Sequence, residues 1–248
     1  MIGFFDSGIG GLGIWRAVRS RLPHVSTCYV ADQAFCPYGT KAVKEIVERA
    51  RRISQWLIQE GCTMIVVACN TATVNAMDRL RAEFDVPFVG TEPGIKPAQQ
   101  VSRTGTIAVL ATARTIGRYA QASDVQLLTA QGLVEEIEKF DWETSARLQA
   151  ILEEVKTQLA PRVDTLVLGS THFALIEDVV QQVFGDEITL INTNDAVASQ
   201  VERVAKTVAL DRGDHQWLTT GASDDVLQKL KIVWQCKEVR IDRGEIPC

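Results

Sequence analysis

The chain has 248 residues, of which 46% are hydrophobic and 23% charged, with a formal net charge of −5 and a pI near 5.3. That length suffices for one large or two medium domains with an ample core, and the composition is that of a soluble globular protein. The acidic balance argues against a nucleic-acid surface, which needs a basic face, and the longest apolar runs are too short to cross a bilayer.

The chain opens on MIGFFDSG, which lacks the basic segment of a secretory signal, so a cytoplasmic location is expected. Short β-branched runs predict strands at 1–5, 26–31, 63–68, 87–90, 106–111, 125–129, 165–169 and 189–192. Helical patterns predict helices at 11–22, 41–60, 72–84, 116–121, 143–159, 173–184 and 194–210. In the second of these, Val43, Ile46, Val47, Ala50, Ile53, Trp56 and Leu57 recur at helical spacing and leave a charged outer face. Continuous runs such as MIVVA and TLVLG suit strands covered on both faces of a parallel sheet, so the class is α/β.

The first turn, FFDSGIGGLG, satisfies G-x-G-x-x-G through Gly8, Gly10 and Gly13, and Asp32 follows at the distance of a ribose-binding acid. Asp6 speaks against a dinucleotide: it would set a carboxylate beside the pyrophosphate, a like-charge contact costing several kcal/mol in a partly desolvated pocket. The other reading is that the glycines let the backbone turn sharply and expose Asp6 and Ser7 at a strand end, near helix N–H groups that suit a substrate carboxylate.

Further along, Met64–Ala72 runs an apolar strand into Cys69, Asn70 and Thr71 before a helix, and Thr165–Phe173 repeats that plan with Ser170, Thr171 and His172. Ligands of parallel sheets gather at the carboxyl ends of strands, so both clusters are candidate site walls. His24 and His215 read as loop residues without a role. The six cysteines, Cys28, Cys36, Cys62, Cys69, Cys236 and Cys248, form no C-x-x-C pair. With three histidines in the chain, their spacing argues against a zinc cluster, and no metal is expected; a disulfide scaffold is equally out of keeping with this size and class.

DSGIGGL, Pro37-Tyr38-Gly39, ACNTA at 68–72 and VLGSTHFAL at 167–175, with PFVGTEPGIKPA, GLVEEIE and LTTG as echoes, resemble the glutamate racemases of the aspartate/glutamate racemase superfamily over nearly the full length. The resemblance implies two pseudo-symmetric Rossmann-like domains, here 1–95 plus 210–248 and 96–209, with Pro93, Gly94 and Pro97 at the first crossing and the active site in the cleft. It implies a cofactor-independent enzyme acting on glutamate, a homodimer, and no nucleic-acid or membrane partner. In such enzymes one cysteine from each domain faces the α-carbon, one taking the proton and the other returning it to the opposite face. Cys69 matches the first, and Ser170 stands at the second.

The same resemblance gives Asp6 a place beside Cys69, His172 beside position 170, and Ser7, Pro37, Tyr38, Gly39, Asn70, Thr71 and Thr171 a place against the substrate. Taken singly, Asp6, Ser7, Asn70, Thr71 and Thr171 read equally as helix caps, and Pro-Tyr-Gly as a turn. A serine hydroxyl is far less acidic than a thiol, and loss of a general base costs on the order of 10²–10⁴-fold, so two-thiol racemisation is impaired as the sequence stands. Three accounts of Ser170 are open: an introduced or recent substitution, a native serine served by His172, or a one-thiol enzyme such as a decarboxylase. TAQG at 129–132, LINTND at 190–195 and Phe173-Ala174 also depart from the family pattern, all within the second domain.

Overall fold

Alternating apolar strands and amphipathic helices give two parallel sheets in the computed structural model, which describes residues 1–92, 94–117, 125–221 and, for backbone alone, 239–243. The first sheet contains β1 (Ile2–Asp6), β2 (Thr27–Ala31), β3 (Met64–Val67), β4 (Phe88–Gly90), β9 (His215–Thr219) and β10 (Val239–Arg243), in the order β10-β9-β2-β1-β3-β4. The second contains β5 (Ile107–Leu110), β6 (Val125–Leu128), β7 (Thr165–Leu168) and β8 (Thr189–Ile191), in the order β6-β5-β7-β8. The central strands β1, β3, β5 and β7 are buried throughout, as continuous apolar runs in a helix-covered parallel sheet require.

The helices are α1 (Leu12–Arg21), α2 (Val43–Gln59), α3 (Asn70–Glu83), α4 (Ile95–Val101), α5 (Ala113–Ile116), α6 (Leu133–Ile137), α7 (Ala146–Thr157), α8 (Thr171–Leu175), α9 (Glu177–Phe184) and α10 (Asn194–Ala205). On one face of the first sheet, α2 and α3 close a core of Phe5, Val30, Ile46, Ile53, Leu57, Ile65 and Val67. A larger cluster runs unbroken from Phe4, Trp15 and Val66 to Leu110, Leu166, Phe173 and Val201, joining the two sheets. Helix α10 packs on α1 and reinforces that junction.

The predicted strands at 26–31, 87–90 and 165–169 coincide with β2, β4 and β7 to within a residue. The structure revises several other expectations. The predicted helix 173–184 is two helices, since Ile176 at φ −109°, ψ 27° leaves helical geometry between α8 and α9. Val43 is 45% exposed, and α2 buries Ser54 in the stripe instead. His215 is not a loop residue: it begins β9, pairs in register with Thr27 and lies buried, with Nδ1 2.9 Å from Thr27 Oγ1. Cys28 and Cys62 are buried, and burial raises both thiols, Cys62 to about 12. Pro93, Cys236, Cys248 and residues 118–121 of the predicted helix 116–121 lie outside the described residues. Among those described, no helix is long and apolar enough to cross a membrane.

Candidate active site

The glycine turn after β1 already holds an anion. Asp6 is fully buried, and its carboxylate accepts the Ser7 N–H at 2.7 Å, the Gly11 N–H and the Thr171 hydroxyl at 3.0 Å. Two of the turn's backbone donors, Ser7 and Gly11, are spent on this side chain, and Ile9 donates to Glu138. Asp32 is equally committed, accepting Arg49 Nε and Nη2 at 2.7 and 2.6 Å, the Tyr38 hydroxyl at 2.7 Å and the Thr220 hydroxyl at 2.9 Å. Neither acid is left for a ribose or disposed toward a phosphate, so the turn serves another chemistry. Two glycines are fixed by close approach: a Cβ on Gly8 would lie 1.9 Å from Glu138 Oε1, and one on Gly10 would lie 2.5 Å from His172 Nδ1 and 2.7 Å from the His172 backbone N.

Strand β3 delivers Cys69 as the N-cap of α3, and β7 delivers Ser170 as the N-cap of α8, so the two occupy equivalent strand-to-helix corners. Their environments differ. Cys69 Sγ accepts the Ala72 N–H at 3.4 Å and lies 3.9 Å from Ser7 Oγ, whereas Ser170 makes no side-chain cap hydrogen bond. Burial, and then the charge of Asp6, push the Cys69 thiol well above the usual range, against the pull of the Ala72 and Ser7 N–H groups. The corners meet through Asp6, which lies beside Cys69 and binds Thr171, the neighbour of Ser170.

His172 Nε2 lies 2.6 Å from Glu138 Oε1. Burial alone would lower the His172 pKa, but the Glu138 carboxylate outweighs it and holds the imidazole above its ordinary value. Burial conversely works to raise Glu138, and the His172, Gln33 and Ile9 donors overcome it, holding the carboxyl below its usual range. The pairing therefore favours the protonated imidazole, with Glu138 as the partner of its Nε2.

Around this centre, Asn70 is buried with neither its Oδ1 nor its Nδ2 hydrogen-bonded. A buried amide costs roughly 1–3 kcal/mol when unpaired, so Asn70 is a candidate donor and acceptor for a bound molecule. Thr71, Thr112 and Thr115 bring their hydroxyls into a triangle with 3.0 Å sides, and Gly39 lies directly against Thr112. Pro37 follows a cis peptide bond after Cys36. The Tyr38 ring is buried and its hydroxyl donates to Asp32 Oδ2 at 2.7 Å. The cluster can thus bind a small polyanionic molecule by neutral donors and move a proton at a sulfur.

The sequence motifs did not single out Glu138, Thr112, Thr115 or Cys36. Glu138 caps the five-residue helix α6, and the signal available was its place in GLVEEIE, an echo of the family pattern.

The Asp/Glu/Hydantoin racemase family model matches residues 13–201. The glutamate racemase of Herpetosiphon aurantiacus is 41% identical over 236 residues, covering 89% of this chain and 92% of that protein. Among solved structures, glutamate racemase isoform RacE1 of Bacillus anthracis superposes with a TM-score of 0.87 at 27% identity, over 100% of this chain and 98% of that one. The Escherichia coli glutamate racemase, solved with L-glutamate and the activator UDP-MurNAc-ala, gives 0.85 at 28% identity, over 98% and 97% of the two chains.

Proposed function

The chain belongs to the Asp/Glu/hydantoin racemase family, and on that footing we propose that it acts on glutamate, interconverting the L and D forms without a cofactor. The observation that carries the reading is the meeting of the Cys69 corner and the Ser170–His172 corner through the buried carboxylate of Asp6. The α-ammonium and two carboxylates of glutamate call for several fixed donors and acceptors. Asn70, Thr71, Thr171, Ser7 and the backbone at 38–39 would supply them, together with Thr112 and Thr115.

The reaction needs two proton carriers on opposite faces of the α-carbon. In the direction that starts at Cys69, the thiolate takes the α-proton and the electron pair moves toward the α-carboxylate. A proton from position 170 then forms the new C–H bond on the far face. Buried and raised, the Cys69 sulfur carries a proton in the free site, and Asp6 is placed to accept it as substrate enters. Neutral donors at helix starts steady the charge that develops on the carboxylate. In the reverse direction Ser170 must be the base, and a serine hydroxyl is far less acidic than a thiol. Racemisation is impaired on that account, by about 10²–10⁴-fold.

The same observation supports a second reading: a one-thiol enzyme, in which Cys69 alone exchanges the α-proton. Under either reading the division into lobes 1–95 plus 210–248 and 96–209 is part of the proposal, supported by the return of β9 and β10 to the first sheet. So are a homodimer, a cytoplasmic location and the supply of D-glutamate for peptidoglycan. The test is α-proton exchange in deuterated water with L-glutamate and D-glutamate offered separately. Two-sided exchange with slow inversion supports the racemase, and exchange of one enantiomer without inversion supports the one-thiol enzyme. Exchange of neither removes both.

A further inference from the structure

We propose that Cys36, Glu138 and His172 form a binding site for one zinc-class divalent cation beside Cys69. Their ligating atoms lie within 4.8 Å of one another. Cys36 Sγ is 3.9 Å from Glu138 Oε1, and His172 Nε2 is 2.6 Å from the same oxygen. Tetrahedral zinc, with bonds of about 2.0–2.3 Å, holds its ligands roughly 3–4 Å apart. The cation therefore fits once His172 and Glu138 separate by about an ångström. A thiolate, an imidazole and one carboxylate are a donor set for zinc, not for calcium or magnesium, which take oxygen ligands.

The site is braced as metal sites are. The Glu138 carboxylate is held by the Ile9 N–H at 2.9 Å and by Gln33 Nε2 at 2.7 Å, contacts of the kind that orient a ligating group. His172 and Cys36 both face Glu138 Oε1 with hydrogens that the cation would replace. Binding releases the Cys36 S–H proton and the His172 Nε2 proton to solvent, with no change of oxidation state, and water or a substrate carboxylate completes the fourth position. Separations of 34 and 102 residues between the ligands explain why Cys and His spacing gave no hint of the site. Ser7 stands between Cys36 and Cys69, within reach of both sulfurs, so the bound ion would sit against the candidate active site. The site shares His172 with the Ser170 corner, but binding needs only the three side chains and does not rest on the racemase reading.

The test titrates the 248-residue chain, kept reduced with a phosphine, with Co²⁺ as a spectroscopic probe and Zn²⁺ as competitor. The expected result is one Co²⁺ per chain, with thiolate-to-cobalt charge-transfer absorption and intense tetrahedral visible bands, all abolished by Zn²⁺. Cys36→Ser and Cys36→Ala, checked for intact fold by circular dichroism, should lose the charge-transfer band and bind at least about 10–100-fold more weakly, while Cys69→Ser keeps the band. A band that survives in the Cys36 variants, or vanishes in Cys69→Ser, overturns the site, as does the absence of any thiolate band in the unaltered chain. A chain that binds Co²⁺ through Cys36 yet exchanges no glutamate proton supports this site and counts against the racemase reading.

Discussion

His172 and Glu138 show how a single pair of side chains sets the character of the site. The imidazole is buried and by itself would lose its proton early; the carboxylate at 2.6 Å reverses that. Removing the charge while keeping the shape, in Glu138→Gln, withdraws the largest contributions that raise His172 and leaves burial opposed only by the more minor charges of Asp6 and Glu135. The His172 pKa, followed by NMR, should then fall below its ordinary value of about 6.5. The sign for stability follows from the same shifts. Raised in the fold, His172 contributes fully below about pH 6.5, and its share is lost as pH climbs through its folded value. Glu138, depressed, contributes above about pH 4.3, and its share is lost as pH falls through its folded value. Denaturant unfolding across pH should therefore show a stability plateau in the unaltered chain that Glu138→Gln flattens; an unchanged profile would contradict the pairing. At this scale, Asp6, Cys69, Asn70, Thr171 and His172 could be named from the sequence because each lies at or just after the end of an apolar strand, and the structure brings those strand ends together. Glu138 and Cys36 could not, since their approach to those ends depends on how α6 and the turn after β2 fold over them.

Two corners built alike, β3 into α3 and β7 into α8, carry Cys69 and Ser170 at the same N-cap position, and the glycine turn after β1 is wedged between them. Its tightness predicts a clear mutational effect. In Gly10→Ala the new methyl would meet the His172 backbone N at 2.7 Å, a contact that a backbone cannot relieve by changing rotamer. Overpacking of this kind costs about 1–3 kcal/mol, so the denaturation midpoint should fall, and glutamate binding with it. An alanine variant as stable as the parent would show that the turn is looser than described. The long strands and helices were readable because period and burial agree over many residues. The elements that escaped notice have short or mixed signals. Helix α6 is five residues long, α4 contains Pro97 and was read as punctuation, and β9 alternates buried and partly exposed residues after a histidine. The split between α8 and α9 has no Gly or Pro to announce it.

At the scale of the molecule, two parallel sheets share one apolar cluster, and the polar bridges between them, Ile9 and Gln33 to Glu138 and Asp6 to Thr171, converge on the candidate site. Substrate held between the sheets should tighten both walls together. Hydrogen exchange with D-glutamate present should slow at the amides of 7–13 and of 170–173 in parallel; protection of one wall alone would contradict a shared cleft. The class and the two-sheet plan were legible from the alternation of buried strands and helices, whereas the junction built by α10 on α1 joins distant segments that no local pattern connects. The proposed reaction has Cys69 and position 170 address one carbon from opposite sides. Its most direct test is the rate of glutamate racemisation in Ser170→Cys, read by circular dichroism against the unaltered chain. The restored thiol should raise that rate by about 10²–10⁴-fold in both directions, and Cys69→Ser added to it should abolish the gain. A folded, glutamate-binding Ser170→Cys chain whose rate is unchanged would contradict the account.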